Sequence, residues 1–341
     1  MPEKKSYRNL KEKVWDAGIC SGCGGCVAVC PADALFFIED EGITHPVSSG
    51  YCKMETDSVL CGACYDACPR ILDQKTETLG SYQKLVSARA TTKIEYQQSG
   101  GAVTAILMAA LQSGRIDGVV TVTEDRWNHK PRSILVTNAG ELIEHAGSRY
   151  NWSVPVLRSL KMAVIEKKLN KIAIVGTPCV VQASRAMKNS TNDLLKPFGR
   201  SIRLIIGLFC TESFDYHTLM EEILTEQYQI SPGHISRMDV KGKLELTLDD
   251  GTTKTLPLKE AARAVRQGCH SCTDFSAREA DISAGSVGTP EGSTTLIVRT
   301  DVGAGFVHHA VKIGILSVSG EVDTTIIEKL ASAKQTRISH S

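Results

Sequence analysis

Apolar positions along the chain settle into a regular rhythm at about residue 84. From there, short apolar runs alternate with segments whose apolar residues recur every three or four positions. Residues 85–90, 118–123, 133–137, 171–175, 202–209 and 295–299 read as strands. Ala102–Gln112 reads as a helix, with Val103, Ile106, Leu107, Ala110 and Leu111 on one face. Residues 154–168, 302–313 and 322–333 read as further amphipathic helices. Residues 243–258 read as a hairpin turning at Asp249-Asp250-Gly251. Strands alternating with helices, with one antiparallel excursion, predict a mixed α/β (α+β) fold.

The first 80 residues lack that rhythm. Residues 1–17 form a short amphipathic lead-in. Residues 34–38 and Ile43-Thr44 flank the acidic turn Glu39-Asp40-Glu41-Gly42 and predict a hairpin. The stretch DQKTETLGSY, residues 73–82, reads as a polar linker, so the boundary is set at residue 80. This predicts a small module over 1–80 and a larger domain over 81–341.

Composition narrows the class. The chain has 341 residues, formal charge +1 and 42% hydrophobic residues, enough for about two globular domains. No apolar run reaches the about 20 residues that span a bilayer. The N-terminus MPEKKSYRNLKEK is polar and has no apolar signal core, which predicts a cytoplasmic chain. Residues 1–80 carry 8 Lys+Arg against 12 Asp+Glu, net −4, and the remainder 31 against 26, net +5. The basic remainder suits a phosphate-bearing cofactor or, more simply, a mixed solvated surface. With no dense basic run and 5% aromatic residues, nucleic acid is not an expected partner.

The chemistry lies in twelve cysteines. Cys20, Cys23, Cys26 and Cys30-Pro31 are spaced C-x2-C-x2-C-x3-C-P, the spacing of bacterial four-iron cluster ligands. Cys52, Cys61, Cys64 and Cys68-Pro69 form a second such run. In two-cluster modules the cysteine before proline serves the other cluster. The expected sets are therefore Cys20, Cys23, Cys26 and Cys68, and Cys52, Cys61, Cys64 and Cys30. The second run departs from the pattern, because the regular spacing puts its first ligand at Ser58 and Cys52 must replace it. Zinc ribbons or a disulfide scaffold compete less well, since neither asks for four cysteines ending in Cys-Pro twice. Cysteine-rich redox work implies a reducing setting. Cys179, Cys210, Cys269 and Cys272 are dispersed; they suit a third four-iron cluster, a zinc site or separate core thiols. His270 reads as a solvent-facing turn residue, and Trp15, Trp127 and Trp152 as packing residues.

Two loops invite a ligand. Gln98-Ser99-Gly100-Gly101 opens the helix at Ala102, where free N–H groups and the helix dipole favour phosphate. Ser99 as a simple cap with a glycine turn is the alternative. Gly176-Thr177-Pro178-Cys179 joins a buried strand to a helix carrying Gln182 and Arg185, where open α/β sheets place ligands. An ordinary turn with a buried cysteine is the alternative there.

Taken in order, the doubled cysteine run, QSGGAVTAIL, GSRY, GTPC, GLFC, C-x2-C and DISAGSVGTPEGSTTLIVRT resemble the family of coenzyme F420 hydrogenase/dehydrogenase beta subunits over nearly the whole chain. The resemblance implies a flavin-binding α/β domain that holds FAD and one four-iron cluster and exchanges hydride with the deazaflavin F420 as substrate. The N-terminal two-cluster, ferredoxin-like extension is similar to the electron-input subunit of the membrane-associated reduced-F420 dehydrogenase of methanogenic or related archaea. By this resemblance Cys179, Cys210, Cys269 and Cys272 hold the third cluster. Ser99, Gly100, Gly101, Thr104, Gly147, Ser148, Tyr150, Gly176, Thr177 and Gln182 become FAD contacts, and Gly285-Ser286-Val287-Gly288 borders the flavin or the deazaflavin. Relatives often carry Trp after Gly where this chain has Gly292-Ser293, so no aromatic stacking contact is expected there.

The parts belong together chemically. A deazaflavin passes electrons in pairs and iron–sulfur clusters take them singly, so a flavin is the required converter. Hydride would pass to FAD N5 with no acid–base residue assigned. The acceptor implied is a complex I-like membrane complex on the cytoplasmic face, or ferredoxin. The alternatives are a reductase of another organic substrate and a flavin-free electron-carrying adaptor. A fused sulfite reductase is disfavoured, since no sirohaem-binding stretch lies within the sequence.

Overall fold

The computed structural model describes residues 5–38, 44–72, 77–152, 155–240 and 242–336. In the N-terminal part, helix Tyr7–Leu10 runs on into Lys11–Trp15, and Gly25–Ala28 and Ala63–Asp66 are single helical turns. Strand β1 (Leu35–Phe36) pairs antiparallel with β2 (Val47–Ser48). A hairpin is present, but its second arm is Val47–Ser48, and Thr44 is not part of it. Pro46 has no N–H for a ladder, and pairing begins after it. The expected turn at 39–42 lies outside the described residues, as do Ile43, residues 1–4 of the lead-in and residues 73–76 of the linker.

The remaining strands are β3 (Lys84–Ala90), β4 (Gly118–Glu124), β5 (Pro131–Val136), β6 (Asn151–Trp152), β7 (Ile172–Gly176), β8 (Ile202–Leu208), β9 (Phe214–Asp215), β10 (Ile235–Val240), β11 (Lys243–Leu248), β12 (Thr253–Pro257), β13 (Ile282–Gly285), β14 (Thr294–Val298) and β15 (Leu316–Ser319). Eight of them form one sheet in the order β15-β3-β14-β13-β8-β7-β4-β5. Strands β13, β8, β7 and β4 are mutually parallel, and β3 joins that direction across the antiparallel β14. Edge strands β15 and β5 are antiparallel to their neighbours. The loops leaving β3, β4, β7, β8 and β13 therefore all emerge at one edge, where sheets of this kind bind ligands.

Both faces of the sheet are covered. On β7, Ala173 and Val175 face the cluster that includes Ile106 and Phe306, while Ile172 and Ile174 face Val181, Ala183 and Leu160. That period of two is the strand's own. Ile172, Ile174, Leu204, Ile205 and Ile206 are fully buried, each worth roughly 1.5–3 kcal/mol. The second face also takes Cys23, Ala28, Val29, Ala63 and Ala67, so the N-terminal part packs directly on the larger one.

The expected strands and the helices at Ala102–Gln112, Asp301–Lys312 and Thr324–Thr336 are present. The helix expected over 154–168 begins at Arg158; Val154 lies outside the described residues. The expected hairpin is β11–β12, with β10 added as a third antiparallel strand. Helix His217–Gln227 backs this small sheet through Leu219, Met220, Ile223 and Leu224.

Two readings need correction. The 73–82 stretch has a core contact after all: Leu79 is buried against Phe275, Ile327 and Ala331, and Arg299 donates to the Leu79 and Ser81 carbonyls at 2.8 and 3.0 Å. Trp127 is 82% exposed and packs little. Its backbone N–H instead closes a turn on Asp125 at 2.8 Å. Trp15 is buried against His45, and Trp152 lies under Arg266 with 3.9 Å from guanidinium to ring centre.

Candidate redox site

The two cysteine runs are built alike. Each ends in a one-turn helix opened by a glycine in left-handed conformation, Gly24 at φ 84° and Gly62 at φ 68°. A residue with a Cβ is strained there, so glycine lets the chain turn sharply and present Cys26 and Cys64 inward. The turns then bring the expected thiols together. Cys26 has Cys20, Cys68 and Cys23 as electrostatic neighbours, with Cys64 just beyond. Cys64 has Cys30, Cys61 and Cys52. The cysteine before each proline thus sits with the other run. Cys52 joins the second group, while Ser58 is exposed.

The dispersed four converge as well. Cys210, at the end of β8, has Cys269, Cys179 and Cys272 as neighbours. Cys179 stands in the first turn of helix Pro178–Asn189, and Cys269 and Cys272 flank the turn after Gln267–His270. His270 is exposed, as a turn residue should be. The three groups also lie within electrostatic reach of one another in succession: Cys23 and Cys20 feel Cys179, and Cys26 feels Cys64.

All twelve cysteines are free of disulfides. Burial pushes most of these thiols up, Cys23 to about 12. For Cys272 burial also pushes upward, but Lys334 and Arg70 outweigh it and hold the thiol below its ordinary value. Such crowded, buried thiolates need positive partners. Among the described residues no three His, Cys, Asp or Glu side chains converge tightly enough to hold a single metal ion. The groups are more open than a zinc site, and a four-iron cluster, which fills the space between its four thiolates, suits the donor set better.

Three buried cations surround the third group, and sequence reasoning missed all three. Lys334 Nζ donates to the Cys210 carbonyl at 2.6 Å and the Asp274 carbonyl at 2.8 Å. Arg266 Nη1 donates to the Ser21 carbonyl at 2.6 Å and Nη2 to the Thr44 carbonyl at 3.0 Å. Arg70 Nη2 donates to the Gly268 carbonyl at 2.9 Å. Arg70 alone had a signal in the sequence, directly after Cys68-Pro69.

The expected flavin contacts divide into two sets. Ser99, Gly100, Gly101, Thr104, Gly147, Ser148 and Tyr150 lie near the end of β3. Gly100 N–H donates to Thr294 Oγ1 at 3.0 Å, and a Cβ on Gly100 would meet the Ala88 carbonyl at 2.5 Å. The helix cap is Gly101 at φ 66°, not Ser99. Tyr150 bonds the Val240 backbone and Ser148, and burial raises its hydroxyl to about 12. Gln98 Nε2 donates to the Met238 carbonyl at 2.9 Å, tying the same loops to β10. Here Gln98 Oε1 and Asn151 Oδ1 are buried without hydrogen-bond partners, which fits a polar ligand laid across these loops.

Gly176, Thr177 and Gln182 stand apart, beside the third cysteine group. Thr177 Oγ1 is 3.2 Å from Cys179 Sγ, and Gln182 Nε2 donates to Asp274 at 3.2 Å. Gln182 Oε1 is buried and unpartnered. Strands β3 and β7 are four positions apart in the sheet, about 19 Å at the usual strand spacing. An elongated ligand along this edge could reach both sets, passing the end of β13 at Gly285. A separate cavity of about 590 Å³, lined by Gln182, Arg185, Asp274, Pro69 and Tyr65, lies against the N-terminal part instead.

Known proteins share these features. Residues 85–161 match the N-terminal model of the coenzyme F420 hydrogenase/dehydrogenase beta subunit, 169–324 its C-terminal model, and 12–69 a 4Fe-4S dicluster domain. An F(420)H(2) dehydrogenase subunit from Methanosarcina mazei is 32% identical over 84% of this chain and 80% of its own length. The coenzyme F420-dependent sulfite reductase of Methanocaldococcus jannaschii is 35% identical over 87% of this chain, which spans only 47% of that protein. A chain of the F420-reducing [NiFe] hydrogenase complex from Methanosarcina barkeri superposes with a TM-score of 0.73 at 31% identity, covering 79% of this chain and 94% of that one. With both halves of the family's model matched in order on a shared fold, this chain belongs to the family of coenzyme F420 hydrogenase/dehydrogenase beta subunits and carries a 4Fe-4S dicluster domain at its N-terminus.

Proposed function

We propose that this chain oxidises reduced coenzyme F420 and delivers the electrons singly through three four-iron clusters. The observation that carries the reading is the succession of cysteine groups, from Cys179, Cys210, Cys269 and Cys272, through Cys20, Cys23, Cys26 and Cys68, to Cys30, Cys52, Cys61 and Cys64. When bound, FAD supplies the change from paired to single electrons, and the clusters supply one-electron carriers.

The chain's own residues would bind, orient and shield these groups. Ser99, Gly100, Gly101 and Thr104 offer backbone and a helix N-terminus to an anionic ligand. Gly147, Ser148 and Tyr150 close over it from the β10 side, and Gly176, Thr177 and Gln182 hold its far end near Cys179. Cys23, Cys26 and Cys68 of the first group and Cys272 of the third are buried and would help to keep water out. The second group is set apart by its surroundings: Tyr51, Val59 and Leu60, next to the half-buried Cys52 and Cys61, are exposed apolar side chains. That supports electron exit there, to a complex I-like membrane dehydrogenase on the cytoplasmic face or to ferredoxin. Among the described residues no helix is long and apolar enough to cross a membrane.

The test is anaerobic reconstitution with iron, sulfide and FAD, then addition of reduced F420 and a one-electron dye. FAD-dependent recovery of the oxidised deazaflavin absorbance supports the reading. No oxidation, with flavin and clusters measured as present, redirects it to a reductase of another organic substrate. Clusters without any bound flavin redirect it to an electron-carrying adaptor.

A further inference from the structure

Arg70 stands where the first and third cysteine groups meet. Its chain position is fixed by Cys68-Pro69, and its Nη2 reaches the Gly268 carbonyl, next to Cys269, at 2.9 Å. Its electrostatic neighbours are Cys20 and Cys68 on one side and Cys272, Cys179 and Cys269 on the other. Its Nε and Nη1 are buried with no nitrogen or oxygen acceptor, and the one side chain in hydrogen-bonding relation to the guanidinium is Cys272 of the third group. A guanidinium with two unused donors in the interior is costly unless something accepts from it. The acceptors within this space are thiolates and the sulfides they would hold.

The other cations are differently placed. Lys334 has Cys210, Cys272, Cys269 and Asp274 as electrostatic neighbours, and its ammonium is held by two carbonyls. Arg266 also borders Cys20 and Cys269, and its Nε is likewise buried without a partner, but its Nη1 and Nη2 are taken by the Ser21 and Thr44 carbonyls and its plane lies on Trp152, which leaves it one donor against two on Arg70. Arg70 is a permanent charge between both groups with donors to give.

Resting on the cluster reading above, we propose that Arg70 is a positioning residue for electron passage between the third and first clusters, donating Nε–H and Nη1–H to sulfur at the third and holding both potentials up by its charge. Hydrogen bonds to sulfur and nearby positive charge favour the reduced cluster. Because Arg70 comes from the N-terminal module, seating that module would itself set the potential of the cluster on the larger domain.

The experiment is an EPR-monitored redox titration of the full-length, reconstituted chain as wild type, Arg70→Gln and Arg70→Lys. In Arg70→Gln, the first and third clusters should become harder to reduce, by about tenfold in the reduced-to-oxidised ratio, or about 59 mV for a one-electron couple. The cluster on Cys30, Cys52, Cys61 and Cys64 should stay unchanged. Arg70→Lys should restore the first cluster, which feels only charge, and leave the third partly shifted, because the fork is lost. Full iron with all three potentials unmoved in Arg70→Gln would overturn the proposal. If Arg70→Gln loses a cluster, Arg70→Lys decides: a lowered third potential supports the proposal and an unmoved one overturns it. A wild-type chain that assembles no clusters would overturn the underlying reading, a result distinct from assembled clusters whose potentials do not move.

Discussion

Cys23 in the N-terminal module has Cys179 of the larger domain as an electrostatic neighbour. That single relationship brings two separate cysteine patterns together. The carbonyl of Cys23 also accepts from Leu157 N at 3.1 Å, so backbone contact fixes the junction as well.

If Cys179 is a ligand, Cys179→Ala removes one of three four-iron clusters. Iron content should fall by about a third and one EPR signal of the reduced protein should vanish. Unchanged iron and an unchanged spectrum would remove Cys179 from the ligand set.

The second cluster distinguishes Cys52 from Ser58. Cys52→Ala should leave that cluster incomplete or readily lost, while Ser58→Ala, at an exposed position, should change neither iron content nor spectrum. A reversed result would restore the regular spacing as the correct reading.

Gly100 is where a small change should cost stability. A Cβ there would meet the Ala88 carbonyl at 2.5 Å and Thr294 N at 2.9 Å, both backbone and neither free to swing away. Gly100→Ala should lose about 1–3 kcal/mol in chemical denaturation, as overpacked sites do. A loss within error would mean that β3 and β14 part easily at this point.

His129 gives a pH dependence. Burial disfavours its charged form, but the bond and attraction to Glu124, 3.5 Å away, prevail and raise its pKa above 6.5. A raised folded-state pKa contributes stability that is fully present below the unfolded value and is lost as pH rises through the folded one. The stability difference between wild type and His129→Gln should therefore be largest below about pH 6.5 and shrink above it. A difference that grows with pH would contradict the Glu124 pairing.

Much of this was legible in the sequence for a plain reason. Strands such as Ile172–Gly176 and Ile202–Leu208 are continuous apolar runs, and the cysteine runs carry their ligands a few residues apart. Strand β13 was hidden because its sequence is ISAG, short and half polar. It is held in place by buried Asp281 just before it, which accepts from Ile205 N at 2.9 Å, Arg185 Nη2 at 3.0 Å and Thr300 Oγ1 at 2.8 Å. Strand β10, with the pattern ISRMDV, is half-exposed and has no clean alternation. The third cysteine group was countable, but its convergence depends on the crossover order of β7 and β8. Arg70, Arg266 and Lys334 reach their places from three distant segments, which no local pattern reveals.

An electron pair from reduced F420 should leave this chain as single electrons on its clusters. The most direct measurement adds reduced F420 alone, without dye, to the anaerobically reconstituted protein, following deazaflavin absorbance and freezing samples for EPR. Oxidised F420 should appear together with reduced-cluster signals. Reduced F420 left intact beside bound flavin and intact clusters would contradict it, and so would its oxidation with every cluster still oxidised.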